Sequence, residues 1–219
     1  MLACSWSGGK DSALALYELV RSKEHEIVAL LTTITEEYDR VTMHGVRSEL
    51  LRQQALSIGL PIEEIRISEN ITEKEYEETM QEVMSRLKNA GIGSVAFGDL
   101  FLEDVRRRRE RNLASIGMKA VFPLWGRNTR ELALEFVQLG FKAITTCVDS
   151  SLLNGEFVGR IVEENFLNDL PVEADPCGEN GEFHSFVYDG PIFKKAIPFR
   201  KGDVVLRRDR FLYCDLLPR

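Results

Sequence analysis

A short segment near the start of the chain, Ser7-Gly8-Gly9-Lys10-Asp11-Ser12, has the residue types needed to bind phosphate. It follows the short apolar run from Leu2 to Trp6 and leads into a segment of helical period. Two glycines allow a tight turn that brings backbone N–H groups to an anion, the start of a helix adds partial positive charge, and Lys10 adds a full charge. The sequence therefore predicts a phosphate-binding loop between the first strand and the first helix, where open α/β sheets bind their ligands.

The loop does not follow the nucleotide-binding pattern of kinases and GTPases or that of dinucleotide-binding proteins. It resembles the PP-loop of the ATP pyrophosphatases. This resemblance implies that the loop holds the β and γ phosphates of ATP as leaving pyrophosphate, so that AMP passes to an acceptor. It also implies catalytic roles for Lys10, which would offset charge on the pyrophosphate, and for Asp11, which would orient Mg²⁺ directly or through water. Ser7 and Ser12 would donate hydrogen bonds to phosphate oxygens, and Gly8 and Gly9 would shape the loop.

Three residues at the ends of later strands are further candidates for nucleotide binding. Thr33 ends the second predicted strand and would lie, with Thr32, beside the nucleoside, although threonine is also an ordinary strand residue. Gly98 and Asp99 end the fourth predicted strand. Asp99 can bind ligand there or can cap a turn or helix, and the sequence leaves both roles open.

A second motif, Glu179-Asn180-Gly181-Glu182-Phe183-His184, lies far along the chain. Two carboxylates three residues apart in a glycine-containing turn, followed by a histidine, can bind a cation or ammonium and exchange protons near neutral pH. We therefore expect this turn to bind the acceptor or ammonia rather than ATP, with Glu182 and His184 taking part in catalysis. The expected substrate-binding residues are Glu179, Asn180, Gly181, Glu182 and His184. A turn whose polar side chains only bond to one another is the alternative.

Several segments together resemble the diphthine ammonia ligase family, and the resemblance covers nearly the whole chain. They are His44-Gly45-Val46, Gln54-Ala55, Gly98-Asp99, Pro123-Leu124-Trp125 and Cys177 to His184. The resemblance implies a PP-loop α/β domain with a smaller C-terminal region, and amidation of the diphthine carboxylate on elongation factor 2 with ATP and ammonium. No glutaminase signature is visible, so free ammonium or a separate donor protein would supply the nitrogen. His44 itself remains open between a site residue and a solvated loop histidine.

The second motif differs from the corresponding motif of the diphthine branch of that family. In that branch, the motif resembles Glu-Gly-Gly-Glu-Tyr-Glu-Thr. Here Asn180 stands for a glycine and His184 for an acidic residue. This form resembles a second, bacterial-type branch, which implies a small acid such as a corrinoid as acceptor. The resemblance thus implies the same reaction with ATP. It leaves the identity of the acceptor open, and the alternatives are diphthine, a corrinoid acid and another small or protein-borne carboxylate.

The positions of these motifs depend on the predicted fold. Short β-rich runs alternate with segments of helical period, which predicts a doubly wound, mostly parallel α/β sheet over residues 1–150. Lys142 to Val148 is predicted as another strand of this domain. Beyond it, glycines and prolines divide the chain into shorter pieces, which predict a small α+β lobe over residues 151–219 that binds the acceptor. The predicted elements of this lobe are a helix from Val158 to Leu170 and strands around Glu182 to Tyr188, Ala196 to Phe199 and Phe211 to Leu216. Two helix boundaries are marked by Gly59 as a C-cap and by Thr72 with Glu75 as a capping box.

Composition limits the class of protein. The chain of 219 residues is 44% hydrophobic and 29% charged, without an apolar run long enough to span a membrane, so we expect a soluble protein. The start of the chain lacks the pattern of a secretory signal, which favours a cytoplasmic location. Four scattered cysteines form no Cys-x-x-Cys pair, which argues against zinc, iron–sulfur and disulfide frameworks.

The net charge of −7 disfavours binding to nucleic acid. The one basic run, Arg106 to Arg111, remains open between a solvated helix face, a role in the pocket and contact with RNA. Two other functions also remain open: a PP-loop enzyme that thiolates tRNA, against which the acidic charge and the missing cysteine pair count, and a sensor that binds ATP without turnover. A homodimer is compatible with the sequence.

Overall fold

The computed structural model describes residues 1–219. The strands are β1 Leu2–Ser5, β2 Ile27–Thr35, β3 Arg40–Val41, β4 Ile62–Ile67, β5 Ser94–Ala96, β6 Lys119–Val121, β7 Lys142–Asp149, β8 Phe183–Asp189, β9 Phe199–Arg207 and β10 Phe211–Pro218. The α-helices are α1 Lys10–Ser22, α2 Ser48–Ile58, α3 Glu73–Asn89, α4 Glu103–Ser115, α5 Thr129–Gln138 and α6 Glu164–Asp169, with short 3₁₀ helices at Glu36–Tyr38 and Gly155–Phe157. No helix combines the length and apolar character that crossing a membrane requires.

The first sheet contains β1 to β6 and is mostly parallel. Its strands follow the order β3-β2-β1-β5-β6, with β4 also paired to β2, and only the short β3 runs antiparallel. Because side chains alternate along a strand, Leu2 and Cys4 enter one buried cluster with α1 and α2, while Ala3 enters another with α3 and α4. Helices therefore cover both faces, and the predicted doubly wound α/β fold is confirmed.

The second sheet is antiparallel, with the order β8-β7-β10-β9. Its second strand, β7, was expected in the first domain but pairs antiparallel with β8 and β10. The reason is that β7 is buried from Ala143 to Asp149, and a strand buried on both faces has the same sequence pattern in either kind of sheet. A small C-terminal α+β lobe is thus present. Its predicted start at residue 151 stays a prediction, and these pairings favour a division before β7.

The second sheet is fixed to the first domain beside β3. The Asp215 carboxylate lies 2.8 Å from Arg40 Nη1 and 2.7 Å from Arg47 Nη2. Burial alone would raise the pKa of the Asp215 carboxyl, but the two guanidinium groups outweigh burial and lower it to about 2. Beside this pair, the ring of Tyr213 covers Gly45, where a Cβ atom would lie 2.6 Å from a ring carbon. These contacts bring the second sheet to the edge where the phosphate loop lies.

Candidate active site

The predicted phosphate loop connects β1 to α1, which begins at Lys10 with Gly9 as its N-cap. Gly8 has a φ of +76°, and a Cβ atom there would lie 2.7 Å from Gln54 Oε1. A Cβ atom on Gly9 would lie 2.9 Å from His44 Cε1 and 3.0 Å from the Ser185 carbonyl oxygen. Close neighbours therefore favour glycine at both positions, and at Gly8 the positive φ of the turn favours it as well.

The two loop serines lie together, as expected for residues that face one anion. Ser7 Oγ accepts a hydrogen bond from the Gly9 N–H at 3.2 Å and lies 3.3 Å from Ser12 Oγ. Ser12 Oγ donates to the Gly9 carbonyl at 2.9 Å. These hydroxyl groups hold the loop in a closed turn and line the cavity described below.

Lys10 is a buried cation at the start of α1. Its Nζ lies 2.7 Å from Asp11 Oδ1 and also donates to the carbonyl of Cys177, a residue of the second motif region. Burial alone would lower the pKa of Lys10, but the negative charge of Asp11 and its hydrogen bond to Nζ outweigh burial, and the pKa is raised. Burial raises the pKa of the Asp11 carboxyl, and Lys10 opposes that rise. Lys10 therefore carries its charge at neutral pH beside the loop.

The loop is also held by β8 of the second sheet. The Gly8 carbonyl accepts hydrogen bonds from the Val187 N–H at 2.8 Å and from Gln54 Nε2 at 3.0 Å. Gln54 Nε2 donates to the Val187 carbonyl at 2.6 Å, and the Trp6 indole donates to Gln54 Oε1 at 2.9 Å. Gln54 is fully buried. In the sequence, Gln54 is visible only as an amide side chain on the apolar face of α2. Its hydrogen bonds to Trp6, Gly8 and Val187 become visible only in the folded structure.

A cavity of about 620 Å³ opens at the carboxyl ends of β1, β2 and β5 and continues between α3 and α4. It brings most of the predicted residues of both motifs together. The predicted residues that line it are Ser7, Lys10, Asp11, Ser12, Thr33, Gly98, Asp99, Glu179, Gly181 and His184. His44, Thr32 and Ser185 line it too, whereas Asn180 and Glu182 do not. The segments expected to bind ATP and acceptor therefore share one space.

The inner part of this cavity is apolar, with walls that include Leu31, Ile65, Val95 and Met84. Thr32, at the carboxyl end of β2, is also buried and lines the cavity, and its Oγ1 has no hydrogen-bond partner within the protein. A buried hydroxyl without a partner is costly, so a bound molecule with a polar atom at this place would gain from meeting it. This is the kind of site that a flat heterocycle with polar edges fits.

Asp99 is part of an ion pair rather than a helix cap. Its Oδ2 lies 2.6 Å from Arg109 Nε, and its Oδ1 accepts from Arg109 Nη2 at 3.0 Å. The Arg109 guanidinium also lies 4.2 Å from the centre of the Phe97 ring. Helix α4 has Leu102 as its N-cap. Arg108 and Arg109 of the basic run both line the cavity. Of the three positions that the sequence left open for the run, these two arginines therefore occupy the one at the pocket.

Glu179 enters the cavity from the second motif. Its Oε1 accepts a hydrogen bond from the Leu100 N–H at 2.8 Å. Burial raises the pKa of the Glu179 carboxyl to about 7, and the negative charges of Asp11 and Asp99 add to the rise. Glu179 is therefore able to hold or release a proton near neutral pH.

The raised pKa of Glu179 predicts a pH-dependent stability. Between its ordinary value of 4.5 and about 7, the folded chain keeps a proton on this carboxyl that the unfolded chain has lost. The free energy of unfolding therefore falls as pH rises through this window. Glutamine does not titrate, so we expect Glu179→Gln to lack this pH-dependent contribution to stability. As pH rises from 4.5 to about 7, the melting temperature of the variant should fall less than that of the wild type. The measurement is thermal unfolding across the window, with exposed Glu24→Gln as a control that keeps the wild-type slope.

Glu182 has a different position from the one expected of a catalytic acid. Its Oε1 accepts from the Asp175 N–H at 2.8 Å and from Asn180 Nδ2 at 3.1 Å, and its Oε2 accepts from the Asn180 N–H at 3.1 Å. Both oxygens are thus used inside the turn, and Glu182 is buried. These contacts give Glu182 and Asn180 the task of shaping the turn that presents Glu179.

His184 lies against His44 next to the phosphate loop. The two ring centres are 4.5 Å apart, and His44 Nδ1 is 3.2 Å from the Ser185 carbonyl oxygen. Burial lowers the pKa of His44 to about 4, and the charge of Lys10 contributes. Burial, His44 and Lys10 together lower the pKa of His184 well below its ordinary value. Both imidazoles are therefore neutral at pH 7, and His44 is not a solvated loop residue.

The cavity residues fit Mg²⁺ bound with phosphate better than a metal held by protein alone. No group of three or more His, Cys, Asp or Glu side chains is placed to hold a metal ion. Mg²⁺ is commonly held by one or two carboxylates together with substrate phosphates, and Asp11 lines the cavity beside the loop. The predicted ligand Asp11 is thus compatible with such a site.

Comparison with known proteins decides the family. The family model described as the diphthamide synthase N-terminal domain matches residues 1–120, and that described as the diphthamide synthase C-terminal domain matches residues 128–213. The chain belongs to the diphthamide synthase family. The boundary between the two matches lies at residues 121–127, before β7. This boundary agrees with the pairing of β7 in the second sheet.

Curated relatives of this diphthamide synthase family member include enzymes named diphthine–ammonia ligase. The fission yeast Schizosaccharomyces pombe protein is 30% identical over 218 residues, which cover 91% of this chain but only 36% of that protein. The zebrafish Danio rerio protein is 27% identical over 93% of this chain and 88% of its own length. The human protein is 26% identical over 91% of this chain and 83% of its own length. The chain thus spans little more than a third of the fission yeast relative and most of the vertebrate relatives.

Proposed function

We propose that this chain is an ATP-dependent ligase that adenylates an acceptor carboxylate and then amidates it with ammonia, releasing pyrophosphate and AMP. One observation carries the proposal: the phosphate loop and Glu179 of the second motif line the same cavity, so a nucleotide and an acceptor can meet there. Relatives named diphthine–ammonia ligase support it. Holding two reactants in one site supplies much of the rate gain that a group transfer needs.

In this proposal the triphosphate lies at the loop and the base enters the apolar part of the cavity. Backbone N–H groups at the start of α1 and the Lys10 ammonium group offset the charge that grows on the leaving pyrophosphate. Ser7 donates a hydrogen bond to a phosphate oxygen, Ser12 does so by turning its hydroxyl away from the Gly9 carbonyl, and Thr32 and Thr33 meet the nucleoside. Mg²⁺, when bound through Asp11 and the phosphates, supplies further neutralisation of that charge.

The amidation half of the reaction is assigned to the second motif. The acceptor carboxylate attacks the α phosphorus to form an acyl adenylate, and ammonia then attacks the acyl carbon and displaces AMP. The nitrogen loses a proton as the amide forms, and Glu179 is able to accept it in its ionised form. Asn180, Gly181 and Glu182 hold Glu179 at the cavity.

For the acceptor, we propose the bacterial-type branch and a small carboxylic acid, such as a corrinoid acid. The support is that His184, which replaces an acidic residue of the diphthine branch, lines the shared cavity. A neutral imidazole in place of a carboxylate removes a negative charge that would attract a cationic acceptor. The four free cysteines fit a reducing compartment, and we propose a cytoplasmic location on that basis.

The products distinguish this function from its rivals. With ATP, ammonium and a panel of carboxylic acids that includes diphthine-bearing protein and corrinoid acids, we expect AMP and pyrophosphate in equal amounts with a new amide. ADP and phosphate would contradict adenylation. An ATP-binding protein that releases no pyrophosphate with any acceptor would be a sensor, and thiolation of tRNA with a sulfur donor would identify the other rival.

A further inference from the structure

We propose that Ser185 and the His44–His184 pair form a clamp that holds the leaving pyrophosphate from outside the phosphate loop. The inference rests on the proposed function, since the adenylation of ATP supplies the pyrophosphate. None of these residues belongs to the loop: His44 precedes α2, and His184 and Ser185 belong to β8. The clamp would therefore be the contribution of other elements to the phosphate site.

The first part of the clamp is the hydroxyl of Ser185. The Lys10 N–H, one of the free donors at the start of α1, points to Ser185 Oγ at 3.2 Å. In phosphate loops such a donor meets an oxygen of the anion. Ser185 Oγ thus stands at the edge of the anion site, and because it accepts this bond, its own hydrogen is free to be donated to a phosphate oxygen. Ser185 is buried and lines the cavity, so bulk water competes little for this bond.

The second part is the histidine pair, whose tautomer is set by its surroundings. His44 Nδ1 lies 3.2 Å from the carbonyl oxygen of Ser185, and a carbonyl oxygen only accepts. His44 Nδ1 therefore carries the hydrogen, and Nε2 of the neutral ring has a free lone pair. The ring nitrogens of His184 have no hydrogen-bond partner within the protein, and both rings line the cavity. The pair thus offers unoccupied nitrogens close to Gly9 of the loop.

The charge around the pair favours a polyanion as its ligand. The charged and polar groups near the pair are the Lys10 ammonium group of α1 and the Ser185 carbonyl of β8. The two imidazoles also face each other. Burial is the main reason that the pKa values of the imidazoles are lowered, and the charge of Lys10 lowers them further. The negative charge of a pyrophosphate beside Lys10 opposes both effects and raises the pKa of the imidazoles, so that one can take up a proton and donate to a phosphate oxygen. A metal ion held by the two histidines is disfavoured because no third ligand is placed beside them.

The test compares binding of inorganic pyrophosphate and of AMP by calorimetry. We expect Ser185→Ala to weaken pyrophosphate binding by about tenfold, the scale of one hydrogen bond to a charged group, with AMP binding little changed. Ser185→Thr keeps the hydroxyl and should restore pyrophosphate binding. Ser57→Ala is the matched control, since Ser57 is also a buried serine that bonds to backbone, at Lys195, but does not line the cavity.

The histidines are tested by proton uptake. Pyrophosphate binding is measured near pH 6.5 in buffers of different ionisation enthalpy, for the wild type and for His44→Gln and His184→Gln. We expect net proton uptake that is larger in the wild type than in either variant, and melting temperatures that show all three proteins folded. Equal pyrophosphate affinity in Ser185→Ala and equal uptake in the histidine variants would overturn the clamp alone. A wild-type chain that binds neither ATP nor pyrophosphate would overturn the proposed function with it.

Discussion

Lys10→Met should lower the rate of pyrophosphate release by roughly a hundredfold or more, the scale for losing one preorganised charge that stabilises a transition state. Lys10 Nζ is held by Asp11 and by the Cys177 carbonyl, so its position is fixed before ATP binds. Methionine keeps much of the apolar side chain and removes only the charge and its hydrogen bonds. The loss should therefore appear mainly in kcat, because the charge on pyrophosphate grows as the bond breaks.

Steady-state assays of pyrophosphate release would measure this effect. Lys119→Met is the control, since Lys119 is an exposed lysine on β6 that does not line the cavity, and its rate should match that of the wild type. Circular dichroism and melting temperature would show whether Lys10→Met is folded. A folded Lys10→Met protein with a rate within a few fold of the wild type would rule out the assigned role of Lys10.

Gly98→Ala should have a comparable effect for a steric reason. A Cβ atom on Gly98 would lie 2.9 Å from both the carbonyl carbon and the carbonyl oxygen of Asp11, and 3.1 Å from Ser12 N. These are backbone atoms of the phosphate loop and its helix, which cannot rotate away as a side chain would. The added methyl group should push the loop from Gly98 and lower turnover roughly a hundredfold, the scale of a 1 Å misplacement. The strain should also cost about 1–3 kcal/mol of stability.

The chain offers a matched control for this substitution. Gly93, just before β5, also has a backbone that accepts alanine without a left-handed φ, and nothing lies within 4 Å of the added Cβ atom. Gly93→Ala should therefore leave turnover and stability close to those of the wild type. Both variants would be assayed for pyrophosphate release and thermal unfolding. Equal activity in the two variants would show that Gly98 does not set the position of the loop.

The parts of the fold that depend on neighbouring residues were predictable. The capping box at Thr72 is present, because Glu75 reaches back to its backbone within a single turn. Helix α2 ends at Ile58 with Gly59 as C-cap, as the glycine indicated. Strand β4 occupies Ile62–Ile67, the segment between that glycine and the capping box. In each case, the determining groups lie within a few positions along the chain.

The second sheet was less predictable, because its strands are defined by distant partners. A helix was predicted from Val158 to Leu170, but the structure has only the short α6, Glu164–Asp169. The predicted strand from Ala196 to Phe199 was wrong in its extent, since β9 begins at Phe199 and continues to Arg207. Most of β9 is exposed, including the consecutive apolar residues Val204 to Leu206, so its pairing with β10 rather than an alternation of apolar and polar residues defines it.

The site shows the same division. The loop Ser7 to Ser12 was identifiable because its chemistry is contained in one segment. Gln54 and Ser185 were missed as functional candidates, because their importance lies in contacts with residues distant in sequence. For the same reason, the sequence did not predict that Glu182 bonds to Asp175 and Asn180 within its own turn. A carboxylate that closes a turn and one that faces a substrate have the same letter in the sequence.

The bonds between the phosphate loop and β8 also affect when the loop can form during synthesis. The loop is synthesised well before the groups that hold Gly8 and Lys10, because Val187, Ser185 and Cys177 lie far beyond it along the chain. A nascent chain that contains only the first sheet has the complete loop sequence without these supports. The nucleotide-binding conformation should therefore mature only after β8 has been made, and a fragment that ends before β8 should carry the motif without its shape.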